Sequence, residues 1–505
     1  MAPPLPVSSP ISAAVAGISL ITLYLVGVVI YRLYLHPLRK YPGPLLWRIT
    51  SIPRVYHLMK GDLPFVVTRL QAKYGRFVRI MPNELVCNDP KAWKDIYGHR
   101  LGGLPDFEKF RGFYLLRPHL PPSIIEAGRD EHALIRRQLS HGFSEKSLRE
   151  QEDIIGDYVN LLIQRLHENT KNGPAPLNMR EWFNWTTFDI IGDLGFGSSF
   201  GCLENSAYHP WVQLISKVLI ESSGFRALSL LGLRPVLKIL DKIGQTKKND
   251  ENMDLVRNKV QERMKLGMER PDFIEGLIKK KNEWQMDMDR LAVNANVVII
   301  AGSETTATLL SGAAFFLTTN PDKLAILTQE VRASFKSEEE ITLLSVNNLS
   351  YMLACLNETF RMYPPVAAEL PRVVPKGGAT IAGRFVAEGT VVAVWQWAIN
   401  RSTELWTDPE KYVPERWMGD PKYQNDVFDA MQPFSLGPRN CIGRNLAYAE
   451  MRLILAKIIY NFDMTISNDS LRWLEDQKTY VLWDKPSLNI YMSPVAREVG
   501  QTQSH

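Results

Sequence analysis

The segment Phe434–Gly443, with the sequence FSLGPRNCIG, decides how the rest of this chain is interpreted. It contains one cysteine, Cys441, and the apolar residues that follow, from Ile442 to Ile458, recur at the three-to-four-residue spacing of a buried helix. Cys441 is therefore expected where a loop enters a helix. Free backbone N–H groups and the helix dipole there lower the pKa of a thiol and favour the thiolate. Such a cysteine is suited to act as a nucleophile, a redox thiol or an axial metal ligand.

The composition describes an ordinary packed protein. Of the 505 residues, 45% are hydrophobic and 22% are charged, which excludes global disorder. The formal net charge of +5 is small for this length and gives no reason to expect a nucleic acid partner. The cysteines are far apart and form no CxxC pair, which argues against a disulfide framework or a structural zinc site and favours a reducing compartment. They are Cys87, Cys202, Cys355 and Cys441.

An apolar segment at residues 11–31 is long enough to span a bilayer as a helix, which takes about 20 residues. Arg32, Arg39 and Lys40 follow it, whereas residues 1–10 carry no basic side chain. The positive-inside rule places residues 1–10 in the lumen as a short tail and the bulk of the chain in the cytosol. The alternative is a cleaved signal peptide, which usually has a basic start and a shorter apolar core. We therefore predict a transmembrane anchor.

The remaining chain is predicted to form one large domain. Residues 32–45 are basic and proline-rich, which stops the helix and predicts a stiff, extended linker. Residues 46–494 show no domain-scale linker and no internal repeat, and their patterns predict a mainly α fold with small β-sheets. One predicted strand pair is Phe77–Ile80 with Glu84–Cys87. Residues 495–505 are predicted to be a flexible tail.

Three connecting segments have an unusual composition. Gly102–Pro122 is long and rich in aromatic residues, which predicts a loop that lines a binding cavity. Gly195–Gly201 superficially suggests a phosphate-binding loop, but its glycine spacing is wrong by one residue, so a turn at a helix end is favoured. Leu228–Leu240 is apolar enough to dip into a bilayer beside the anchor, and ordinary core is the alternative.

The apolar helix predicted at Asn294–Ala313 is interrupted by small and polar residues. Ala301 and Thr305 lie four residues apart and share a helix face. A threonine there can donate to the carbonyl four residues back, and small residues at 301 and 302 let a ligand approach the backbone. Together with Glu304, this opening is suited to proton delivery to dioxygen. The alternative is a helix kink beside a solvated carboxylate.

A charged network is predicted for Glu358, Arg361 and Arg416. Glu358 and Arg361 lie three residues apart on one helix face, and Arg416 follows in the segment Pro414–Trp417. When fully hydrogen-bonded, a buried network of this kind can fix a unique arrangement. A surface ion pair is the alternative.

Taken together, these segments resemble the cytochrome P450 family of haem-thiolate monooxygenases. Residues Phe434–Gly443 match its FxxGxRxCxG haem loop at every fixed position, through Phe434, Gly437, Arg439, Cys441 and Gly443. Residues 301–306 resemble its oxygen-activating helix, and Glu358, Arg361 and Arg416 its structural triad. The anchor, the Pro-Gly-Pro hinge and the Pro414–Trp417 segment resemble the microsomal members. The resemblance spans nearly the whole chain and implies a single large catalytic domain of this family.

The resemblance implies roles for individual residues. Cys441 would be the thiolate ligand of the iron of haem b, and Arg439 would pair with a haem propionate. Glu304 and Thr305 would be the acid–alcohol pair that relays protons, with Ala301 beside the cofactor. Further propionate ligands would be Arg372 and the pair His132 and Arg136. At His132 the chain departs from the family's WxxxR pattern, but imidazole, like indole, can donate to a carboxylate. A surface histidine is the alternative.

The resemblance also implies partners and a location. The chain would insert one oxygen atom from O2 into a lipophilic small molecule, with electrons from NADPH-cytochrome P450 reductase and with cytochrome b5 as an optional donor. It would sit in the endoplasmic reticulum membrane, and it resembles fungal members that tailor secondary metabolites such as terpenoids, polyketides or alkaloids. Two alternatives are a haem-thiolate isomerase or dehydratase that needs no reductase, and a haem-based sensor. By analogy with the family, the candidate substrate contacts are Phe110, Phe113, Val297, Val366 and Leu482, and ordinary core is the alternative for each.

Overall fold

The computed structural model describes most of the chain. The described residues are 10–100, 102–114, 120–171, 173, 175–233, 235–236, 239, 248–267, 272–279 and 286–496. The predicted tails at residues 1–10 and 495–505 lie almost wholly outside them, as do residues 115–119 of the predicted aromatic loop and parts of Leu228–Leu240.

Helices dominate the described residues, as the periodic apolar pattern predicts. The N-terminal half contains α1 Pro10–Ile30, α2 Leu45–Ile49, α3 Ile52–Lys60, α4 Leu63–Tyr74, α5 Pro90–Tyr97, α6 Arg111–Tyr114, α7 Arg129–Gly142, α8 Glu145–Glu150, α9 Glu152–Thr170, α10 Met179–Phe196, α11 Cys202–Asn205 and α12 Pro210–Leu230. The C-terminal half contains α13 Lys248–Lys265, α14 Glu275–Lys279, α15 Met288–Thr319, α16 Pro321–Ser334, α17 Ser350–Met362, α18 Gln396–Ile399 and α19 Arg444–Asn461.

The strands are short and form small sheets at the edge of the helical body. They are β1 Phe77–Met81, β2 Glu84–Cys87, β3 Glu108–Lys109, β4 Pro176–Asn178, β5 Arg372–Val373, β6 Ala379–Ile381, β7 Arg384–Val386, β8 Val391–Ala393, β9 Phe462–Ile466, β10 Lys478–Thr479, β11 Trp483–Asp484 and β12 Asn489–Pro494. The largest sheet has the order β1-β2-β8-β5-β3, and a second has the order β4-β12-β9. The strands β6 and β7, and β10 and β11, form two-stranded sheets. The mainly α prediction with small sheets is confirmed.

Helix α15 is the central element of the core. It contacts α10, α13, α17 and α19, and most of its residues are buried. It packs closely against α10 through a glycine on each side. A Cβ on Gly302 would lie 2.8 Å from Cδ1 of Ile191, and a Cβ on Gly195 would lie 2.8 Å from Cδ1 of Ile299. Gly302 therefore serves helix packing, and the expectation that it opens the backbone to a ligand is wrong.

Several local predictions are confirmed. The strands β1 and β2 pair antiparallel, with Phe77 opposite Cys87. Helix α10 ends at Gly197, whose φ of 73° is left-handed and whose N–H donates to the carbonyl of Asp193 over 2.8 Å, so Gly195–Gly201 is a helix-end turn. Within Gly102–Pro122, by contrast, β3 and α6 form, so this segment is more structured than the predicted loop.

Helix α1 projects from the body, whereas the π-helical turn Tyr31–Leu35 contacts it, since Arg79 donates to the carbonyl of Arg32. The helical segment Ala14–Leu35 is apolar and long enough to cross a membrane and is not buried; α15 passes the same test of length and composition but lies in the core. The next residues were predicted to be a stiff, extended linker, and they contain a 3-10 helix at Pro37–Lys40. Leu38 is fully buried, and a Cβ on Gly43 would lie 2.3 Å from the carbonyl oxygen of Arg79, so this segment packs on β1.

Candidate active site

The backbone conformation of the loop that precedes α19 requires a glycine at one position. The N–H of Cys441 donates to the carbonyl of Phe434 over 2.8 Å and closes the loop. Gly437 has a φ of 71°, and a Cβ there would lie 2.1 Å from the carbonyl oxygen of Tyr97. Only glycine fits this position. At Gly443, a Cβ would make an ordinary contact of 3.6 Å with the ring of Phe143.

The thiol of Cys441 is exposed, whereas the thiols of Cys87, Cys202 and Cys355 are buried. Helix α19 begins at Arg444, so the cysteine lies at a loop-to-helix junction as predicted. The expected lowering of its pKa is wrong for the chain alone. Although Cys441 is accessible to solvent, the protein atoms packed around its thiol desolvate the thiolate and raise the pKa, and the Gly443 N–H and the charges of Arg136 and Arg444 oppose this effect.

Positive side chains gather around this loop. Arg439 donates to the carbonyl of Ala127 over 2.9 Å, and its Nη1 is buried without a partner among the described residues. Burial and the nearby Arg372 lower the pKa of Arg439. Burial, together with Arg439 and Lys109, lowers the pKa of His132 to about 3, so this imidazole is neutral at pH 7. The cluster thus has an excess of positive charge and an unused donor.

Lys109 belongs to the same cluster and was missed by the sequence analysis. It lies on β3 opposite Arg372 of β5, and its ammonium donates to the carbonyl of Ile125. Burial, and then the charges of Arg372 and Arg439, lower its pKa well below the usual range for lysine. The pairing of β3 with β5, which brings Lys109 here, has no signal in the sequence because both strands are two residues long.

Arg136 and Arg372 have different surroundings. The Arg136 guanidinium donates to the backbone carbonyl and the side-chain oxygen of Asn440, over 2.6 and 2.5 Å. It therefore holds the residue before Cys441. Arg372 is buried, donates to the hydroxyl of Tyr114 over 3.2 Å and lies over the ring of Tyr97.

The middle of α15 presents a small opening. Thr305 Oγ1 donates to the carbonyl of Ala301 over 2.6 Å, and Ala301 is exposed although most of the helix is buried. The carboxylate of the neighbouring Glu304 forms a buried ion pair with Lys485. Lys485 also donates to Thr308 Oγ1 over 2.8 Å. A solvated carboxylate is thereby excluded, and Lys485, far away in the sequence, is a second residue that the sequence analysis missed.

The network around Glu358 is fully buried. Its carboxylate accepts from Arg361 over 2.7 and 2.9 Å and from Arg416 over 3.1 Å. Trp417 Nε1 donates to it over 2.9 Å, and Arg416 also pairs with Asp426. Glu358 and Arg361 are fully buried and Arg416 is nearly so, which excludes the surface ion pair. Each added partner satisfies a buried charge, as a buried network requires.

The predicted substrate contacts are distributed around these elements. Leu482 lines a cavity of about 260 Å³ together with Glu304 and Lys485. Phe113 is buried beneath Arg226 of α12. The other predicted contacts, Phe110, Val297 and Val366, are half-buried.

Known proteins are similar in sequence to this chain along nearly its whole length. A family model described as Cytochrome P450 matches residues 41–492. Cytochrome P450 monooxygenase tpeC of Talaromyces stipitatus is 48% identical over 484 residues, which are 95% of either chain. The chain belongs to the cytochrome P450 family. Trichothecene C-15 hydroxylase of Fusarium sporotrichioides is 44% identical over 480 residues, which are 93% of this cytochrome P450 and 96% of the relative. Averantin hydroxylase of Dothistroma septosporum is 42% identical over 490 residues, which are 95% of this chain and 91% of the relative.

This cytochrome P450 is therefore a monooxygenase of the haem-thiolate class, with a haem whose iron is ligated by a cysteine. The residues of the site fit that group. A haem carries two propionates, and the cluster of Arg439, Arg372, His132 and Lys109 offers an excess of donors, including the unpartnered Arg439 Nη1. The exposed Cys441 offers one soft ligand, and the described residues contain no cluster of three or more His, Cys, Asp or Glu side chains that could hold a metal ion by themselves.

Proposed function

We propose that this cytochrome P450 is a membrane-anchored monooxygenase that inserts one oxygen atom from O2 into a lipophilic secondary metabolite. Cys441 supplies the thiolate to haem b in this proposal. The observation that carries the assignment is the exposed Cys441 thiol beside a positive cluster with an unused donor at Arg439. When bound, the haem supplies the oxygen-activating chemistry, and its thiolate ligand favours cleavage of the O–O bond.

The positive cluster binds the propionates. Arg439, Arg372 and His132 donate to them, and Lys109 adds a fourth donor. His132 donates through a ring N–H, which the neutral and the protonated imidazole both carry. For Arg136 we propose a contact with the same cofactor and a second role, in which its bonds to Asn440 orient the cysteine loop.

The loop and the triad hold the ligand in place. Phe434 closes the loop through its carbonyl, and its ring packs on Phe360 with centroids 5.1 Å apart. Gly437 allows the close approach to Tyr97, and Gly443 leaves the entry to α19 open. Through the Glu358, Arg361 and Arg416 network, α17 is fixed to the Pro414–Met418 segment, which gives the loop a rigid base.

Protons move along side chains of α15. The cavity that contains Glu304 and Leu482 gives the carboxylate a path to solvent, because the exposed Gln213 and Asp484 also line it. Glu304 takes up a proton at its carboxylate, and Thr305 Oγ1 presents one beside Ala301. The contacts of Glu304 with Lys485 position this carboxylate.

The substrate class follows from the names of the relatives and from the pocket. The relatives named above include hydroxylases of trichothecene and averantin. For this chain we propose a terpenoid, polyketide or alkaloid of similar lipophilic character. Apolar side chains contact it in this proposal, namely Phe110, Phe113, Val297, Val366 and Leu482.

The catalytic domain lies on the cytosolic face of the endoplasmic reticulum membrane in this proposal, with residues 11–31 as its anchor. A second apolar surface supports contact with lipid. Helix α12 contacts α3, so exposed residues that follow α12 lie near exposed residues of α2 and α3. These side chains are Leu45, Leu46, Ile52, Tyr56, Met59, Leu231, Leu233, Val236 and Ile239. A variant without residues 1–31 should still bind vesicles of phosphatidylcholine; a truncated protein that stays wholly soluble would refute this second contact.

NADPH-cytochrome P450 reductase supplies the electrons and docks beside the cysteine loop, with cytochrome b5 as an optional donor. Two concave surfaces support this assignment because they flank the loop and carry arginines. One, of about 690 Å³, is lined by Arg149, Arg444 and Arg452 and also by Glu145 and Glu152. The other, of about 420 Å³, is lined by Arg129, Arg136 and Arg137 and also by Asp106, and it borders the proposed propionate site through His132 and Arg439. An acidic partner surface complements such charge.

Two measurements test the proposed function. The reduced carbon monoxide complex should show the red-shifted Soret band of thiolate ligation, and Cys441→Ser should abolish it, while Cys202→Ser should retain it. Product formation should then require NADPH and reductase. Turnover without a donor would favour an isomerase or dehydratase, and haem binding without turnover would favour a sensor.

A further inference from the structure

Arg226 of α12 is a buried guanidinium without a carboxylate partner among the described residues. It is 9% exposed, and its Nη1 has no hydrogen-bond partner there. Ser223 precedes it by three residues on the same helix face, is fully buried, and has an equally unpartnered hydroxyl. Burial of an unpaired charge is unfavourable, so this pair needs an explanation beyond packing.

The contacts of Arg226 show where its guanidinium lies. Its Nε donates to the carbonyl of Phe113 over 3.2 Å, and its guanidinium carbon lies 4.5 Å from the centre of the Phe113 ring. The next residue, Tyr114, is hydrogen-bonded to Arg372. Helix α6 therefore lies between Arg226 and Arg372, which we assign to a propionate. Arg226 itself contacts Phe113, which we assign to the substrate pocket.

Glu369, the carboxylate whose charge acts on Arg226, is already engaged by another arginine. Glu369 accepts from Arg54 Nη2 over 2.5 Å, and Glu84 accepts from Arg54 Nε over 3.1 Å. The charge of Glu369 favours the charged form of Arg226, but burial dominates and lowers the pKa of Arg226 to about 10. The guanidinium therefore remains charged at pH 7. Its missing acceptor must come from outside this part of the chain.

We propose that Arg226, assisted by the Ser223 hydroxyl, binds an acidic oxygen of the substrate, either a carboxylate or an ionised phenol on an otherwise lipophilic molecule. The proposal rests on the proposed function and narrows its substrate class. A hydrogen bond between a guanidinium and an anion is strong and directional, so it fixes one end of the molecule. A neutral analogue leaves Arg226 unpaired, and a site built for a polar group rejects analogues without it.

Spectral titration of the haem-loaded full-length enzyme tests this proposal without turnover. The ligands are two pairs of similar shape: dodecanoic acid with methyl dodecanoate, and pentachlorophenol with pentachloroanisole. Without a buried cation the neutral member of each pair should bind more tightly, because desolvation of an anion is costly. We expect the wild type to bind at least one acidic member more tightly than its neutral partner. The pair with the larger preference identifies the kind of oxygen.

The variant Arg226→Met should lose that preference, with the acidic ligand about tenfold to a hundredfold weaker, as expected for a hydrogen bond to a charged group. Arg384→Met is the control, because Arg384 is an exposed arginine on β7 that stacks on Phe77, and it should change neither affinity. An unchanged carbon monoxide spectrum separates this result from a failure of the proposed function. Absence of any acid preference in the wild type, or its persistence in haem-loaded Arg226→Met, would overturn the inference.

Discussion

Lys485 and Glu304 form an ion pair inside the protein, with exposures of only 5% and 8%. The ammonium also donates to Thr308, so Lys485 joins the segment after β11 to the middle of α15. Glu304 is adjacent in sequence to Thr305, and this ion pair determines where the carboxylate points.

Replacement of Lys485 by methionine should destabilise the enzyme. It leaves a buried carboxylate without its counter-charge, which costs about 3–5 kcal/mol in other proteins. A lower thermal unfolding midpoint should be accompanied by poorer coupling of NADPH consumption to product, because Glu304 loses its fixed position. Both can be measured on the same preparation.

The double variant Lys485→Met with Glu304→Gln is the control for this prediction. It removes both charges, so it should recover most of the lost stability while coupling remains poor. If Lys485→Met alone unfolds at the temperature of the wild type, the ion pair contributes no net stability.

Glu450 of α19 should make stability depend on pH. It is fully buried, neither carboxylate oxygen has a partner among the described residues, and burial raises its pKa to about 8. The folded protein therefore holds the proton more tightly than the unfolded chain. The stabilisation is complete below the usual value of 4.5 and is lost as the pH rises towards 8.

Glu450→Gln should therefore stabilise the enzyme, by on the order of 3 kcal/mol at neutral pH. Thermal unfolding of both proteins between about pH 5 and pH 8 would show a difference that grows with pH. Glu475→Gln, at an exposed ion pair with Arg472, should show no such trend. A constant difference across the range would mean that Glu450 is not protonated in the folded state.

Gly437→Ala should prevent formation of the cysteine loop. The new Cβ would lie 2.1 Å from the carbonyl oxygen of Tyr97, and the φ of 71° is unfavourable for alanine, so the cost is about 2–5 kcal/mol. The expected result is little haem-loaded protein. Gly156→Ala, in α9 with open space around the new methyl group, should give normal haem content and slightly greater stability.

His132→Ala should lower haem retention, measured as haem content and as the rate of haem transfer to apomyoglobin. His141→Ala, an exposed change on the same helix α7, should have no effect. Unchanged retention in His132→Ala would remove this residue from the site.

Local signals allowed much of the fold to be predicted. The helix after Cys441, the strand pair β1 and β2, and the turn at Gly197 each depend on residues within a few positions of one another. The family motifs then supplied the candidate site. Pairings between distant segments had no such signal: Lys485 with Glu304, Arg136 with Asn440, and Arg54 with both Glu84 and Glu369.

The pKa of Cys441 and the role of Gly302 show why local reasoning was insufficient. The position of a thiol before a helix predicts a lowered pKa. In the folded chain, desolvation by the surrounding protein raises the pKa of Cys441, and this desolvation depends on the tertiary structure. Small residues in a helix predict an opening, but the space beside Gly302 is filled by Ile191. In both cases, contacts with distant parts of the chain decided the outcome.

The packing of the proline-rich segment on β1 determines where the chain can be shortened for expression. Buried Arg79 donates from Nη1 to the carbonyl of Arg32 over 2.8 Å, and its N–H donates to Pro42 over 2.7 Å. A protein that starts at residue 45 would lack the carbonyls of Arg32 and Pro42 that accept from Arg79. It would also expose the apolar side chains that Leu38 covers. A shortened gene for crystallisation or assay should therefore begin no later than codon 32.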